Sequence, residues 1–357
     1  MASIRINGRE INNFGEPYIV AEIGANHLGD YRRAYNLMCI AANAGANAVK
    51  FQLYAPIDMT LPCSTPDFSL PGNGQWGGMT LWDLYSQAQT SRRWMQELID
   101  DAKCLGLDFI LSVFNPDDVP FAASLNVDAV KVASFELPYT QLLAALRDID
   151  VPKILSCGMA TRDEVKTARA ILDGHDVALL KCTSAYPADV NDARLGAIPV
   201  MIFTHGCPVG LSDHTLSPAV PPTAVALGAC IIEKHLTLQR SDGGLDAVFS
   251  LEPGEFAAMV SASKDARAAI GSRPDSPRPD SPVDAEQPMR SLRRSLYVTS
   301  PVSAGELFTT ENVRAIRPGY GLPPAMLPDV LGKVSTGDIE RATPLTEGMF
   351  NESGISQ

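Results

Sequence analysis

The stretch KILSCGMATRDEVKTARAILDGHDVALLKCT (153–183) contains one complete structural repeat and decides the fold. The runs KILSCG (153–158) and VALLKCT (177–183) are short and apolar, which is typical of parallel strands buried on both faces. Between them, RDEVKTARAILDG has the apolar spacing of an amphipathic helix. Because parallel strands need a crossover connection, this stretch predicts a strand–helix–strand unit.

The same alternation extends outward from this unit in both directions. Six more strand-like runs occur: YIVAEIG (18–24), AVKFQL (48–53), DFILSV (108–113), AVKVAS (129–134), VGLS (209–212) and ACIIEKHLT (229–237). Eight strand–helix repeats within about 250 residues predict a (β/α)8 TIM barrel of the α/β class. An open, doubly wound sheet is the competing arrangement. It fits less well because no GxGxxG motif follows the first run.

Two segments interrupt the repeats. Residues 55–90 form a long insertion rich in Pro, Gly and Trp, which we expect at the mouth of the barrel. The segment SRPDSPRPDSP (272–282) contains RPDSP twice and predicts an extended spacer. We therefore predict a barrel domain over 1–271, a Pro-rich linker over 272–289 and a small β-rich domain over 290–357.

Composition and charge exclude several classes of protein. The chain has 357 residues and a formal net charge of −12, without a Lys/Arg run, so we do not expect it to bind nucleic acid. No apolar run is long enough to span a membrane, and the N-terminal residues lack the apolar core of a signal peptide. The seven cysteines are scattered without a CxxC pair, which indicates reduced thiols. We expect a cytoplasmic protein.

Polar residues follow nearly every predicted strand. In a (β/α)8 barrel the C-terminal strand ends surround one mouth. The residues concerned are Glu22, Lys50, Gln52, Ser112, Lys131, Ser134, Glu136, Ser156, Ser184, Tyr186, Ser212, His214, Glu233, His235 and, just beyond, Asp246. Any one of them could be structural, because a lone Ser after a strand is often a helix cap. Their convergence on one mouth predicts the active site of an enzyme.

The residue types at this mouth indicate a kind of chemistry. Lys50 and Lys131, together with serine hydroxyls, suit the binding of a phosphate or a carboxylate. His214 and His235 end neighbouring strands, where neutral imidazoles could ligate a divalent metal. Packing or hydrogen-bonding roles for the two histidines stay open, because two histidines alone are a weak metal signal. The whole set suits carbon–carbon bond formation between an anionic phosphate and a carbonyl compound.

Ordered motifs carry a family resemblance. AEIGANHLGD, AVKFQLY, KVASFE, LSCGMA, CTSAYPAD, GLSDHT, IIEKHLTL and DAVFSLEPGEF follow one another along the chain. With them the chain resembles the sialic acid synthase (nonulosonic acid synthase) family over nearly its whole length. CTSAYPA, LWDLYSQAQT and RPGYGLPP are most similar to the pseudaminic acid synthase branch. The part from RRSLYV to LGK resembles the family's antifreeze-protein-like (SAF) domain.

The resemblance implies a transferase that uses a divalent metal, Mn²⁺ or Mg²⁺. It would condense phosphoenolpyruvate with an N-acylated amino sugar, a 2,4-diacetamido-2,4,6-trideoxy hexose, and with water. The products would be a nonulosonic acid of the pseudaminic type and phosphate. By the same resemblance, His214 and His235 are the metal ligands, and Glu22 is a catalytic carboxylate beside the reacting carbons.

The substrate-binding positions are implied in the same way. Those that match phosphoenolpyruvate contacts are Lys50, Ser112, Lys131, Ser134, Ser156, Ser184 and Ser212. Those on the sugar side are Gln52, Tyr186, Asp246 and Arg317. Ser184 stands where sialic-acid-type relatives carry Asn. Arg317 matches an arginine that one subunit inserts over the barrel of its partner, which implies a domain-swapped homodimer.

The insertion bears on the choice of acceptor. We expect its aromatic residues Trp76, Trp82 and Tyr85 to lie over the sugar, where an apolar lid favours an acceptor without a 6-hydroxyl group. The nearest alternative is a sialic or legionaminic acid synthase with another acceptor sugar. A metal-dependent aldolase that uses free pyruvate is a further alternative, and a non-catalytic glycan- or ice-binding protein is a third.

Overall fold

The computed structural model describes residues 2–72, 74–271 and 283–351. The chain divides into two compact units, Met1–Pro274 and Asp275–Gln357. The predicted RPDSP spacer lies outside the described residues. Within the described ranges, no helix is both long enough and apolar enough to cross a membrane.

The larger unit is a closed barrel of parallel strands. A hairpin of β1 (Ile4–Ile6) and β2 (Arg9–Ile11) precedes it. The barrel strands are β3 (Tyr18–Glu22), β4 (Ala48–Leu53), β5 (Asp108–Val113), β6 (Ala129–Val132), β7 (Lys153–Ser156), β8 (Val177–Cys182), β9 (Val209–Asp213) and β10 (Ile231–His235). Each strand pairs with its neighbours in chain order, and β10 pairs with β3. This closure confirms the predicted (β/α)8 fold and excludes the open sheet.

Helices surround the barrel. They are α1 (Tyr31–Asn43), α2 (Pro56–Met59), α3 (Leu81–Ala88), α4 (Met95–Cys104), α5 (Val119–Ser124), α6 (Thr140–Ala145), α7 (Arg162–Ile171), α8 (Ala197–His205), α9 (Val220–Ala226) and α10 (Pro253–Ile270). Short 3-10 helices over Gly24–His27 and Ala247–Phe249 border the mouth. The predicted helix after β7 begins with a capping box, in which Thr161 and Glu164 satisfy each other's backbone N–H groups.

The strand register brings the polar strand ends to one height. Glu22 of β3 pairs with Lys50 of β4 on one side and with His235 of β10 on the other. Gln52 of β4 pairs with Ser112 of β5. Side chains of paired residues project to the same side of a sheet, so groups far apart in sequence meet at the rim.

The opposite end of the barrel is filled with aliphatic side chains. Ile4, Ile6 and Ile11 of the hairpin are fully or almost fully buried, and they form one cluster with barrel residues such as Ile110 and Ile231. A second apolar layer lies between the strands and the helices. The hairpin therefore closes the barrel floor.

The smaller unit has its own core. It contains β11 (Ser295–Val298), β12 (Val313–Ile316), α11 (Leu327–Val330), β13 (Val334–Ser335) and β14 (Phe350–Asn351). Leu296, Val298, Phe308, Val313 and Val330 pack together in its centre. The C-terminal part is β-rich, as the sequence predicts.

Candidate functional site

A buried lysine lies between two carboxylates at the barrel mouth. Lys50 Nζ is 2.8 Å from Glu22 Oε2 and 3.5 Å from Glu233 Oε1, and it donates a hydrogen bond of 3.1 Å to Ser112 Oγ. Burial alone would lower the pKa of Lys50, but the two carboxylates raise it above its ordinary value. Ser212 Oγ donates to Glu233 Oε1 at 3.2 Å. The site thus holds a fixed cation with carboxylates beside it.

Hydroxyl groups cluster around Gly158 at the ends of β6, β7 and β8. The backbone N–H of Gly158 donates to Ser134 Oγ at 3.1 Å. A methyl group on Gly158 would lie 2.7 Å from Ser134 Oγ and would overlap Ser184 Oγ. Ser156 Oγ is buried without a hydrogen-bond partner in the protein. A cluster of hydroxyl groups with a free donor, as at Ser156, can receive an anion, and we call the hydroxyls of Ser134, Ser156 and Ser184 the anion cradle.

Lys131 adds a second buried cation near this cradle. It is 2 % exposed, and its Nζ donates to the carbonyl of Val132 at 3.0 Å. Burial lowers its pKa, which the carboxylate of Glu233 partly counters. Because the hydrogen bond to Val132 uses one of the three N–H donors of the ammonium group, Lys131 can also donate to an anionic ligand.

His214 and His235 lie side by side, with ring centroids 5.6 Å apart. His214 Nδ1–H donates to the carbonyl of Thr183 at 2.9 Å, so its Nε2 carries the free lone pair. His235 Nδ1 is buried without a hydrogen-bond partner, and burial holds the pKa of His235 well below its ordinary value. Burial opposes protonation of His214 as well, but the hydrogen bond and charge of Cys182 raise the pKa of His214 above its ordinary value. The free Nε2 of His214 and the unpartnered Nδ1 of His235 fit two ligands of a divalent metal, which would bind them in their deprotonated form.

The protein supplies few further ligands to such an ion. Within the described residues, no group of three or more His, Cys, Asp and Glu side chains is arranged to hold a metal. The nearest carboxylate oxygen to His235 Nδ1 is Asp246 Oδ2, at 3.7 Å. A metal held by His214 and His235 would complete its coordination with oxygen atoms of water or substrate.

Asp246 and Gln52 border the same space from two sides. Asp246 Oδ2 accepts a hydrogen bond of 2.8 Å from the backbone of Ala25, and burial raises the pKa of Asp246 to about 6. Gln52 Nε2 donates to Glu22 Oε1 at 2.8 Å. Gly24 lies directly behind Asp246, with φ of +50°, and a Cβ there would overlap Asp246 Oδ2. The backbone of Gly24 and Ala25 is therefore packed closely against the Asp246 carboxyl group.

A cavity of about 340 Å³ opens beside His235. The barrel contributes the polar groups of Gln52, Glu136, Ser184, Tyr186, His235 and Asp246, together with apolar side chains that include Phe114, Phe135 and Phe249. The insertion contributes an apolar wall that includes Leu70, Trp76, Leu81, Leu84, Tyr85 and Ala88. Trp76 Nε1 donates to the carbonyl of Leu245 at 2.9 Å, which fixes the insertion to the barrel. Trp82, which we expected beside Trp76 and Tyr85, does not line the cavity.

Glu136 is predicted to lie at the barrel mouth, but the sequence assigns it no specific role there. It follows β6, two residues after Ser134, and its Oε2 atom is buried without a hydrogen-bond partner. Burial raises the pKa of Glu136 to about 7. Its place after a strand was the available signal, but only the fold shows that it lines the cavity. Arg317 lies in the smaller unit, directly after β12.

Glu136→Gln is expected to stabilise the fold at high pH. The proton leaves Glu136 near pH 7 in the folded state but near its lower, ordinary pKa in the unfolded chain. The folded protein therefore loses stability as the pH rises between these two values. In urea unfolding, the free energy of unfolding of the variant should exceed that of the wild type by near zero at pH 4.5 and by at most about 3 kcal/mol at pH 8. The exposed Glu10→Gln variant is the control; equal behaviour of the two variants would contradict a buried, unpartnered carboxyl.

Two buried cations beside an open cavity suit an enzyme that holds one charged substrate while a second reacts with it. The crystal structure of the N-acetylneuraminic acid synthetase of Leptospira borgpetersenii matches with a TM-score of 0.70 and 29% identity, over 80% of this chain and 94% of that one. The chain is an enzyme of the class that joins two substrates through a new carbon–carbon bond. Within that class it belongs to the NeuB family, whose profile matches residues 37–275, and a SAF domain matches residues 293–351.

Two curated relatives are similar over nearly the whole chain. The pseudaminic acid synthase of Campylobacter jejuni is 35% identical over 350 residues, which are 96% of this chain and 99% of the relative. The N,N'-diacetyllegionaminic acid synthase of Legionella pneumophila is 32% identical over 339 residues, 92% of this chain and 93% of the relative. The family membership predicted from the motifs is confirmed, and the non-catalytic alternative is wrong.

Proposed function

We propose that this enzyme condenses phosphoenolpyruvate with the open-chain aldehyde of an N-acylated amino sugar, and with water. The products are a nonulosonic acid of the pseudaminic type and inorganic phosphate. One observation carries the proposal: Ser184 borders both the anion cradle and the larger cavity. An anion in the cradle and a sugar in the cavity would therefore meet at the barrel mouth, which is the geometry a condensation needs.

The anionic substrate is proposed to bind in the deeper part of the site. The hydroxyls of Ser134, Ser156 and Ser184 would donate to the phosphate, and Lys131 would neutralise part of its charge. Lys50 and its partner Ser112 lie beside the Glu22 carboxylate and would bind the other end of the substrate. Fixed cations in a water-poor site stabilise charge without reorganisation.

The imidazoles of His214 and His235 would hold a divalent ion, Mn²⁺ or Mg²⁺. When bound, such an ion supplies Lewis-acid polarisation of a carbonyl oxygen. His235 and Asp246 lie side by side in the cavity lining, so both would also help to orient the acceptor sugar.

Glu22 is proposed to assist at the reacting carbons. As C3 of phosphoenolpyruvate attacks the aldehyde carbon, positive charge develops at C2. The Glu22 carboxylate, held 2.8 Å from Lys50 Nζ, would stabilise that charge. Water then adds at C2, and the C2–O bond breaks so that phosphate leaves into the cradle formed by Lys131 and the hydroxyl groups. Atoms balance: one phosphoenolpyruvate, one aldehyde and one water give one keto acid and one phosphate.

An oxygen label tests this bond cleavage. With ¹⁸O in the bridging oxygen of phosphoenolpyruvate, the label is expected to leave with phosphate, because the C–O bond breaks. Mass spectrometry of both products provides the measurement. Label retained in the sugar acid would mean P–O cleavage and would overturn the mechanism. Equal turnover of free pyruvate without phosphate release would instead support the aldolase alternative.

The acceptor is proposed to be a 2,4-diacetamido-2,4,6-trideoxy hexose. The apolar wall that the insertion contributes to the cavity supports an acceptor without a 6-hydroxyl group. The similarity to a legionaminic acid synthase favours an alternative, which is the same reaction with a different diacetamido sugar. Phosphate release from phosphoenolpyruvate with a panel of N-acylated sugars separates these acceptors.

The smaller unit is proposed to complete the site of a second subunit through Arg317, in a domain-swapped homodimer. We expect Arg317→Ala and Lys50→Ala to be inactive separately and active when refolded together. Random mixing should restore about one quarter of the wild-type activity, because half of the dimers then contain one intact site out of two. Phosphate release from the mixture provides the measurement. A mixture as inactive as each parent would show that Arg317 acts within its own subunit or not at all.

A further inference from the structure

Helix α3 of the insertion presents one continuous apolar face to the cavity. Leu81, Leu84, Tyr85 and Ala88 all line it, and they are spaced as i, i+3, i+4 and i+7 on one side of a helix. Trp82 falls off this spacing, which explains why it does not reach the cavity. Among these four lining residues the Tyr85 hydroxyl is the single polar side-chain group. A substrate hydroxyl that faced Leu84 and Ala88 would find no side-chain partner there.

Most polar groups of the cavity come from the barrel. Gln52, Glu136 and Asp246 place amide and carboxyl groups on the barrel side of the same cavity. The Trp76 indole, which belongs to the insertion, has its N–H group bound to the Leu245 carbonyl. The α3 side of the cavity therefore offers a ligand almost no hydrogen-bonding side chain, whereas the barrel side offers several polar groups among apolar ones such as Phe135 and Phe249.

The apolar wall is held rigidly against the barrel. Thr80 caps α3 by accepting a hydrogen bond of 3.1 Å from the backbone of Asp83. At the other end of the helix, Thr90 Oγ1 is hydrogen-bonded to His27 Nε2 at 3.1 Å. The Tyr85 ring meets the edge of Tyr54, with centroids 5.8 Å apart. The His27 and Tyr54 contacts join the C-terminal half of α3 and the residues after it to the barrel, so this part of the wall is positioned for a ligand before binding.

We infer that α3 selects the acceptor by its carbon skeleton, with Leu84 and Ala88 as specificity-determining residues that contact a methyl group where other hexoses carry a hydroxymethyl group. The inference rests on the proposed condensation and adds the element that discriminates. Leu84 is 8% exposed, so a hydroxyl buried against it loses water without gaining a partner. An apolar pocket disfavours an added hydroxyl by up to about 100-fold.

Two acceptors that differ at one atom test the inference. They are a 2,4-diacetamido-2,4,6-trideoxy hexose and its analogue with a 6-hydroxyl group, each assayed with phosphoenolpyruvate by phosphate release. We expect kcat/KM to favour the deoxy sugar by about 10- to 100-fold in the wild type. In Leu84→Asn the ratio should fall about tenfold, because the amide can bind the hydroxyl. Ala88→Ser should lower the ratio in the same direction, with little change in volume.

Controls separate the possible failures. Gln87→Ala changes an exposed residue of the same helix and should leave the ratio unchanged. If Leu84→Asn does not fold, as judged by circular dichroism, Ala88→Ser decides the outcome. A wild-type ratio near one, or a ratio that neither folded variant changes, overturns the role of α3. Absence of phosphate release with every acceptor would contradict the proposed function itself, which is a distinct result.

Discussion

Gly158→Ala is expected to lower kcat/KM for phosphoenolpyruvate by on the order of 1,000-fold. The added methyl group would lie 2.7 Å from Ser134 Oγ and would overlap Ser184 Oγ, so it would fill the anion cradle and displace its hydroxyls. Steady-state kinetics with each substrate varied in turn provide the measurement. We expect most of the loss in the parameters for phosphoenolpyruvate.

The matched control for this variant is Gly196→Ala. Nothing lies within 4 Å of a Cβ at Gly196, and its φ of −57° suits alanine. This variant should retain wild-type kinetics. If folded Gly158→Ala also kept a normal KM for phosphoenolpyruvate, the phosphate would have to bind outside the cradle.

His235→Ala is expected to abolish turnover while the fold persists. The change removes a buried nitrogen that has no partner in the protein and with it one of two proposed metal ligands. Removal of divalent ions by a chelator should inactivate the wild type, and Mn²⁺ should restore it. Metal content by mass spectrometry, together with phosphate release, provides the measurement.

His175→Ala is the control for the histidine change. His175 precedes β8, at the end of the strand away from the mouth, and contacts Lys153. It should keep full activity and full metal content. Full activity in chelator-treated protein that holds no metal would contradict the metal assignment, whatever the effect of His235→Ala.

The barrel could be predicted because its signal is local and repeated. Each strand run carries its own apolar pattern, as in KILSCG and VALLKCT, and each is followed by helical spacing. The ring of polar strand ends follows from the same pattern. The contacts within the ring could not be predicted in this way. Lys50 lies between Glu22 and Glu233 because β10 closes onto β3, and closure depends on the whole chain.

Other features of the site depend on the space around a residue and on the direction of its side chain, and residue type alone gives neither. Gly158 lies in the motif LSCGMA, but the sequence does not show that a Cβ there would meet two hydroxyl groups, whereas one at Gly174 would meet nothing. The prediction that Trp82 belongs to the aromatic lid was wrong, and the sequence already contained the reason. Trp82 lies one position away from Leu81, whereas Tyr85 lies four positions away, so helical spacing already separates them.

The hairpin at the barrel floor bears on how ligands gain access to the candidate site. In the part of the chain that the structure describes, Ile4, Ile6 and Ile11 close one end of the barrel, and the polar mouth lies at the other. In the proposed condensation, both substrates and the departing phosphate would therefore use the same mouth. A substrate bound there first would limit the access of the second, which makes an ordered sequence of binding and release the expected kinetic pattern.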